Sequence, residues 1–149
     1  MEGSSIFPDI YIPKEEACFF RAQVHRKVLN QGEYFVERNS CCDTLGLIDS
    51  GLLGLVVARG HEQLVLSRYM ENELVTVFGS FLSGENTPWG IIALRPSSLT
   101  IIPNQLLSTL FERHACWVQF WMKAMETQIR RLTEIEDSLL AGNITLSIR

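Results

Sequence analysis

Residues 77–94 read VFGSFLSGENTPWGIIAL, which is the most informative local pattern in the chain. An apolar strand candidate ends at Phe78 and Gly79, a short apolar segment follows, and Pro88 introduces the next apolar run. Such a connection can present backbone N–H groups to an anion, as a short helix does at its N-terminus. An ordinary strand–turn–strand connection explains the same residues and is the preferred interpretation of this stretch.

Short apolar runs separated by turn residues surround this stretch on both sides. The strand candidates are residues 23–29, 33–37, 44–49, 52–58, 62–69, 74–78, 91–94 and 99–102. Many short strands that follow one another at spacings of about 8–12 residues are typical of a β-sandwich or a β-barrel. The body of the protein is therefore predicted to be mainly β.

Helices are predicted at both ends of this body. Pro13, followed by Glu15 and Glu16, suits a helix N-terminus, and a short helix to about residue 22 is expected. Residues 104–141 contain neither Gly nor Pro, which predicts one helix to about residue 113 and a second from about 116 to 141. Gly142 is a natural end for the second helix.

The long helix carries an apolar stripe at coiled-coil spacing, interrupted at Glu136. Its members are Met122, Met125, Ile129, Leu132 and Leu139. The stripe fits either packing on the β body or pairing with a second copy. A helix of about 26 residues is about 39 Å long, which exceeds what a small β domain covers. We therefore expect a homodimer, with the Trp117/Trp121 end on the body and the Ile129/Leu132 end against the partner.

Composition and charge exclude several classes of protein. The chain has 149 residues, of which 46% are hydrophobic, and a formal net charge of −4. These values are typical of one folded domain and argue against a free-standing nucleic-acid binder or a polybasic membrane-surface domain. With no apolar run of transmembrane length and no secretory signal, we expect a cytoplasmic protein without a membrane partner.

Residues that would support catalysis or metal binding are not arranged in a recognisable motif. His25, His61 and His114 form no ligand pair, which disfavours a cupin-like metalloenzyme. We expect no enzyme activity, no catalytic residues, no metal and no cofactor. The cysteines are Cys18, Cys41, Cys42 and Cys116, and reduced thiols are expected. For the adjacent Cys41 and Cys42, a structural role is favoured over a redox sensor.

Four segments, taken in order, resemble the cyclic nucleotide-binding-type sensor domain of the Crp/Fnr transcription regulators. They are QGEYF at 31–35, LGLIDSG at 45–51, VFGSFL at 77–82, where the phosphate-binding cassette of the family opens, and the final strands at 93–103. The resemblance runs from about residue 26 to the end of the chain. It implies a double-stranded β-helix, that is, a jelly-roll-like β-roll, followed by a long dimerisation helix.

The resemblance also implies a division of the chain into three parts. Residues 1–22 form an N-terminal extension with a short helix, and residues 23–113 form the cyclic-nucleotide-binding-like β-roll with a flanking helix. Residues 114–149 form the dimerisation helix and the start of a linker. In the family a winged helix-turn-helix follows, so DNA binding is expected only through a C-terminal domain beyond residue 149.

The cassette departs from that of a cyclic-nucleotide binder at its two charged positions. The family places Glu two residues after the cassette Phe and Arg after the cassette Pro, where this chain has Ser80 and Trp89. Arg95 is the nearest downstream cation and a poor substitute. The candidate pocket residues are Phe78, Gly79, Ser80, Phe81, Leu82, Trp89 and Gly90. They suit a hydrophobic or planar ligand, and a filled pocket that is part of the core explains them equally well.

These observations together predict the effector-sensing and dimerisation domain of a Crp/Fnr-like bacterial transcription regulator that does not respond to cyclic AMP. Its small-molecule effector, if any, is unknown. The alternative is a module that binds a cyclic nucleotide or another small ligand and regulates a partner protein.

Overall fold

The computed structural model describes residues 10–140, apart from the side chains of residues 138 and 139. The helices are α1 (Lys14–Gln23), α2 (Phe78–Ser83), α3 (Asn104–Arg113) and α4 (Ala115–Leu140). The strands before α2 are β1 (His25–Leu29), β2 (Tyr34–Val36), β3 (Ser40–Cys41), β4 (Thr44–Ser50), β5 (Leu53–Arg59), β6 (Glu62–Tyr69) and β7 (Leu74–Val75). The strands after α2 are β8 (Asn86–Thr87), β9 (Gly90–Ala93) and β10 (Ser97–Pro103).

The strands form two four-stranded antiparallel sheets and one small pair. The first sheet has the order β1-β10-β4-β7, the second has the order β2-β9-β5-β6, and β3 pairs with β8. One apolar core lies between the two large sheets, because Ile48 and Leu99 of the first sheet belong to the same buried cluster as Leu53 and Ile91 of the second. This arrangement confirms the predicted jelly-roll-like β-roll with C-terminal helices.

A second apolar core joins the helices to the outer face of the first sheet. Leu45 and Leu47 of β4, two residues apart and hence on one face of the strand, pack with Phe20, Leu110 and Trp117 from the helices. Ile48 of the same strand points into the core between the sheets. β4 is therefore covered on both faces, which explains its nearly continuous apolar sequence.

Helix α4 stays on the body for most of its length. Trp117 packs in the helical core, whereas Ile135, five turns further on, belongs to the core between the sheets. The Trp117/Trp121 end packs on the body as expected, and the contact continues to Ile135, which was not expected. Met122 and Ile129 are exposed on another side of the helix.

Two local predictions are wrong. The strand candidate 74–78 ends at Val75, and Phe78 begins α2, so residues 77–94 are not a simple strand–turn–strand connection. Phe78 and Phe81, three residues apart, both pack against Trp121, with ring centroids at 5.6 and 6.0 Å. This shared contact favours a helical turn, which ends at Gly84 in the left-handed conformation. The short strands β3 and β8 lie outside the predicted strand candidates.

Candidate functional site

A cavity of about 500 Å³ lies between the β-roll and α4. Leu55 of β5 and Tyr69 of β6 form one wall, and α2 with the loop up to Trp89 forms another. Gln128 and Leu132 of α4 close the third side. The cavity volume is in the range that small-molecule sites occupy, and its place between two structural units is typical of such sites.

The cavity contains four of the seven predicted pocket residues. Phe78, Gly79, Ser80 and Trp89 are part of its wall. Phe81, Leu82 and Gly90 are not part of the wall. For Phe81 and Leu82, this follows from the helical geometry of α2.

Phe81 is buried against Trp121 on the inner side of α2, and Leu82, the next residue, is exposed to solvent. Gly90 lies in β9, where a Cβ atom would come within 2.9 Å of the Val36 carbonyl oxygen and of Arg38 Cγ. This close approach explains the glycine without a role in the cavity wall.

The hydroxyl group of Ser80 makes hydrogen bonds within the protein. The hydroxyl donates to the carbonyl of Glu85 at 2.5 Å and accepts from the backbone N–H of Cys42 at 2.8 Å. These bonds connect α2 to the loop after it and to the turn between β3 and β4. A serine bonded in this way stabilises the turn and leaves its donor hydrogen unavailable to a ligand.

The side chains of Cys42 and Thr76 continue this internal network. The Thr76 hydroxyl donates to the carbonyl of Thr44 at 2.9 Å, and it lies 3.0 Å from the sulfur of Cys42. Cys42 is buried and Cys41 is exposed, with its thiol 3.4 Å from the carbonyl oxygen of Gly84. These contacts fit the structural role expected for the pair, and a redox role stays an untested alternative.

Charge is nearly absent from the cavity. Among the described residues that line it, Glu85 is the sole one with an ionisable carboxyl or a basic group. Arg95 lies in the turn between β9 and β10 and is not part of the wall, and neither is Arg38. Among the described residues, no cation is therefore part of the wall of this cavity.

Eleven of the fifteen described wall residues were not among the predicted pocket residues, and they include Tyr69, Gln128 and Leu132. The Tyr69 side chain is fully buried and its hydroxyl has no hydrogen-bond partner among the described residues. Burial raises the pKa of Tyr69 to about 12, so the group stays a neutral phenol at physiological pH. Gln128 stands in the body-facing stripe of α4 and is only 9% exposed. In the sequence, a glutamine among apolar residues was the one signal that could have pointed to Gln128.

The predicted dimer stripe lies largely at the surface of α4. Met122 and Ile129 are 63% and 61% exposed, and Leu132 is 44% exposed although it also lines the cavity. Met125 is partly buried against the helical core, and the side chain of Leu139 lies outside the described part. We call Met122, Met125, Ile129 and Leu132 the α4 seam.

Comparison with known proteins identifies the fold through structure alone. No protein-family model matches the sequence, and no curated protein sequence matches it. Solved structures do match. A cyclic nucleotide-binding domain from Methylobacillus flagellatus is 14% identical with a TM-score of 0.79, over 96% of this chain and 82% of that one. Catabolite activator protein from Thermus thermophilus is 19% identical with a TM-score of 0.70, over 93% of this chain and 63% of that one.

The sensor domain of the transcriptional regulator DNR from Pseudomonas aeruginosa is 16% identical with a TM-score of 0.65, over 92% of this chain and 87% of that one. The fold is thus that of cyclic nucleotide-binding domains and Crp/Fnr family regulators. The chain spans less than two thirds of the length of the Thermus protein, 63%. Among the helices at residues 10–140, none combines the length and the apolar character that crossing a bilayer requires.

Proposed function

We propose that this chain is the effector-sensing and dimerisation domain of a Crp/Fnr-like bacterial transcription regulator that works in the cytoplasm and has no enzymatic role. In this proposal residues 23–113 bind the effector and residues 114–149 dimerise and lead to a DNA-binding domain. The structural neighbours support the coarse assignment, since several of them are transcription regulators.

One observation carries the proposal: α4 serves both the cavity and the α4 seam. Gln128 and Leu132 close the cavity, and Leu132 is also a member of the seam with Met122 and Ile129. A ligand that favours one position of α4 would change the geometry of the seam in the same step. This is how differential binding to two states transmits a signal.

DNA recovery with the natural full-length protein tests the function. The purified protein is mixed with fragments of its own genome, and the bound fragments are sequenced. A dimeric reader selects sites with two-fold symmetry, because the operator mirrors the symmetry of the protein. The matched control is the full-length protein with Met122→Asp and Ile129→Asp, which is expected to lose this selection. If wild type recovers no selective set of fragments, the regulator proposal is wrong and the module that regulates a partner protein replaces it.

A further inference from the structure

The cavity is poorly suited to an anion. The carboxylate of Glu85 is the sole full charge among its described wall residues, and it repels negative ligands. Arg131 lies over the ring of Tyr69 at 4.3 Å, but it is held elsewhere. It donates to Glu73 at 3.0 Å and to the carbonyl of Arg68 at 2.6 Å. A phosphate or carboxylate would therefore enter the cavity without a partner, which is costly in a site of low polarity.

The wall offers flat apolar surfaces instead. Trp89 is partly buried and packs against the core between the sheets, and Phe78 of α2 is part of the same cavity wall. Leu55 and Leu132 supply aliphatic surface from β5 and α4. Sites that combine such side chains with a cavity of about 500 Å³ bind aromatic molecules of moderate size.

Two uncharged polar groups are part of the wall. The hydroxyl of Tyr69 finds no partner among the described residues, although a buried hydroxyl without one is destabilising. The amide of Gln128 is a second neutral polar group of the wall, on a residue that is only 9% exposed. Both groups can donate to an acceptor atom on a ligand, and neither carries charge.

We propose that the cavity takes an uncharged aromatic ligand with a hydrogen-bond acceptor, which packs on Trp89 and accepts a hydrogen bond from the hydroxyl of Tyr69. The inference rests on the proposed function only in treating this cavity as the effector site. It adds the chemical class of the effector, and it sets the site apart from one that binds a cyclic nucleotide through its phosphate.

A pair of fluorescent probes tests this ligand class on the purified chain. Prodan is an uncharged flat naphthalene ketone, and toluidinyl naphthalene sulfonate is a flat anion of related shape. Prodan is expected to bind about tenfold more tightly or better, a ratio that corresponds to the loss of one modest interaction. The carbonyl of prodan also reports hydrogen bonding, because donors shift its emission to the red.

Two cavity variants locate the binding. Trp89→Arg introduces a cation into the wall, so it is expected to weaken prodan and to strengthen the sulfonate, each by about tenfold. Tyr69→Phe removes an unpaired hydroxyl, so the variant should fold at least as well as wild type. With it, the emission of bound prodan is expected to shift to the blue and affinity to fall about fivefold. Met122→Asp on the α4 seam is the control and should change neither value.

The proposal is supported if prodan binds more tightly than the sulfonate and if Trp89→Arg and Tyr69→Phe change binding as expected. If Trp89→Arg fails to fold, Tyr69→Phe still tests the proposal. The ligand class is wrong if the sulfonate binds wild type as tightly as prodan, or if prodan does not bind. It is equally wrong if Tyr69→Phe leaves prodan unchanged while Met122→Asp abolishes its binding. The DNA experiment uses no dye, so failure there leaves this outcome intact and the two proposals fail separately.

Discussion

At the scale of single residues, the buried carboxylate of Glu16 joins three helices. It accepts from the indole of Trp117 in α4 at 2.9 Å and from the guanidinium of Arg113 in α3 at 3.0 Å. The first of these bonds and then the second hold the pKa of Glu16 below its ordinary value, against the opposing effect of burial. A charge this well paired is tolerated in the interior, whereas the same carboxylate without its partners would not be.

Stability should therefore depend on the protonation of Glu16. Because the pKa in the folded state is lower than the ordinary 4.5, the stabilising contribution is complete above pH 4.5 and is lost as the pH falls through the folded-state pKa. Glu16→Gln should lower the free energy of unfolding by about 2 kcal/mol at pH 7. The difference from wild type should shrink in acid, as urea unfolding at several pH values would show. A constant difference down to pH 3 contradicts this account.

The second prediction at this scale concerns Trp89 and Ser80. Cyclic AMP should bind very weakly, because Trp89 and Ser80 stand where the resemblance implies an Arg and a Glu. The loss of the cation costs about 2–5 kcal/mol of binding free energy, and the loss of the carboxylate costs about 1.5–3 kcal/mol. Together these exceed about 3.5 kcal/mol, a factor of several hundred, which turns micromolar into roughly millimolar affinity.

Calorimetry with cyclic AMP and cyclic GMP measures this directly, with Trp89→Arg as the variant expected to gain affinity. A dissociation constant of about 10 μM or below for wild type would mean that another cation reaches the phosphate. Arg38 and Arg95, which lie outside the cavity wall, would then be the first to replace.

At the scale of elements, Arg131 fastens the second half of α4 to the β-roll. Besides Glu73 and the Arg68 carbonyl, it reaches the hydroxyl of Ser67 at 2.7 Å and covers the ring of Tyr69. Its side chain is only 12% exposed. One residue thus connects α4 to β6 and to the turn before β7, beside the cavity.

Arg131→Met should loosen this half of α4. We expect faster amide hydrogen exchange around residues 128–137 and a loss of about 1–3 kcal/mol in unfolding free energy, because Glu73 and the Arg68 carbonyl lose a charged donor. Arg130→Met, at the exposed neighbouring position, is the matched control and should stay within about 0.5 kcal/mol of wild type. If the two substitutions lower the free energy of unfolding equally, Arg131 does not hold α4 on the β-roll.

The α4 seam gives the second prediction at this scale. Two exposed apolar side chains on one helix face favour pairing with a two-fold related copy. Met122→Asp with Ile129→Asp would place unpaired carboxylates in that interface, at a cost of several kcal/mol. Light scattering should show a dimer for wild type and a folded monomer for this variant.

Leu132 is left unchanged in that experiment because it also lines the cavity. Lys27→Asp with Arg130→Asp adds two acids to exposed positions outside the seam and should remain dimeric. Wild type that is monomeric at high concentration would refute pairing through the seam by this chain.

At the scale of the whole molecule, charge decides what residues 1–149 do without further domains. The net charge is −4, and of the basic residues on α4, Arg131 is already bound to Glu73. Binding to DNA depends on neutralising phosphates with a basic face. We expect no gel shift with operator-like DNA at physiological salt for these residues, with the full-length protein as positive control. Tight binding by residues 1–149 themselves would contradict this expectation.

Much of the fold could be predicted because its signals are local. Alternating apolar residues bounded by turns located most strands within a few residues, and the stretch without Gly or Pro located α3 and α4. Where packing overrode the local pattern, prediction failed. α2 begins at Phe78 because Trp121, far along the chain, accepts both Phe78 and Phe81 on one side of a helical turn.

Residues of the cavity wall could be predicted from the sequence only where they come from one short segment. Phe78, Gly79, Ser80 and Trp89 come from one short stretch, whose order places them together. Tyr69 and Gln128 come from β6 and α4, and no pattern within either element shows that they share a cavity.

The sequence by itself determined the succession of strands and helices, the apolar stripe on α4, and the presence of Ser80 and Trp89 where the resemblance implies Glu and Arg. These properties depend on residue type and on spacings within one element. Tertiary structure alone decided that Ser80 bonds to the backbone of Cys42, that Tyr69 and Gln128 line one cavity, and that Arg131 meets Glu73. Each of these pairs residues from different elements. Their distances are set by how the sheets and helices pack, and the local pattern of residues does not encode that packing.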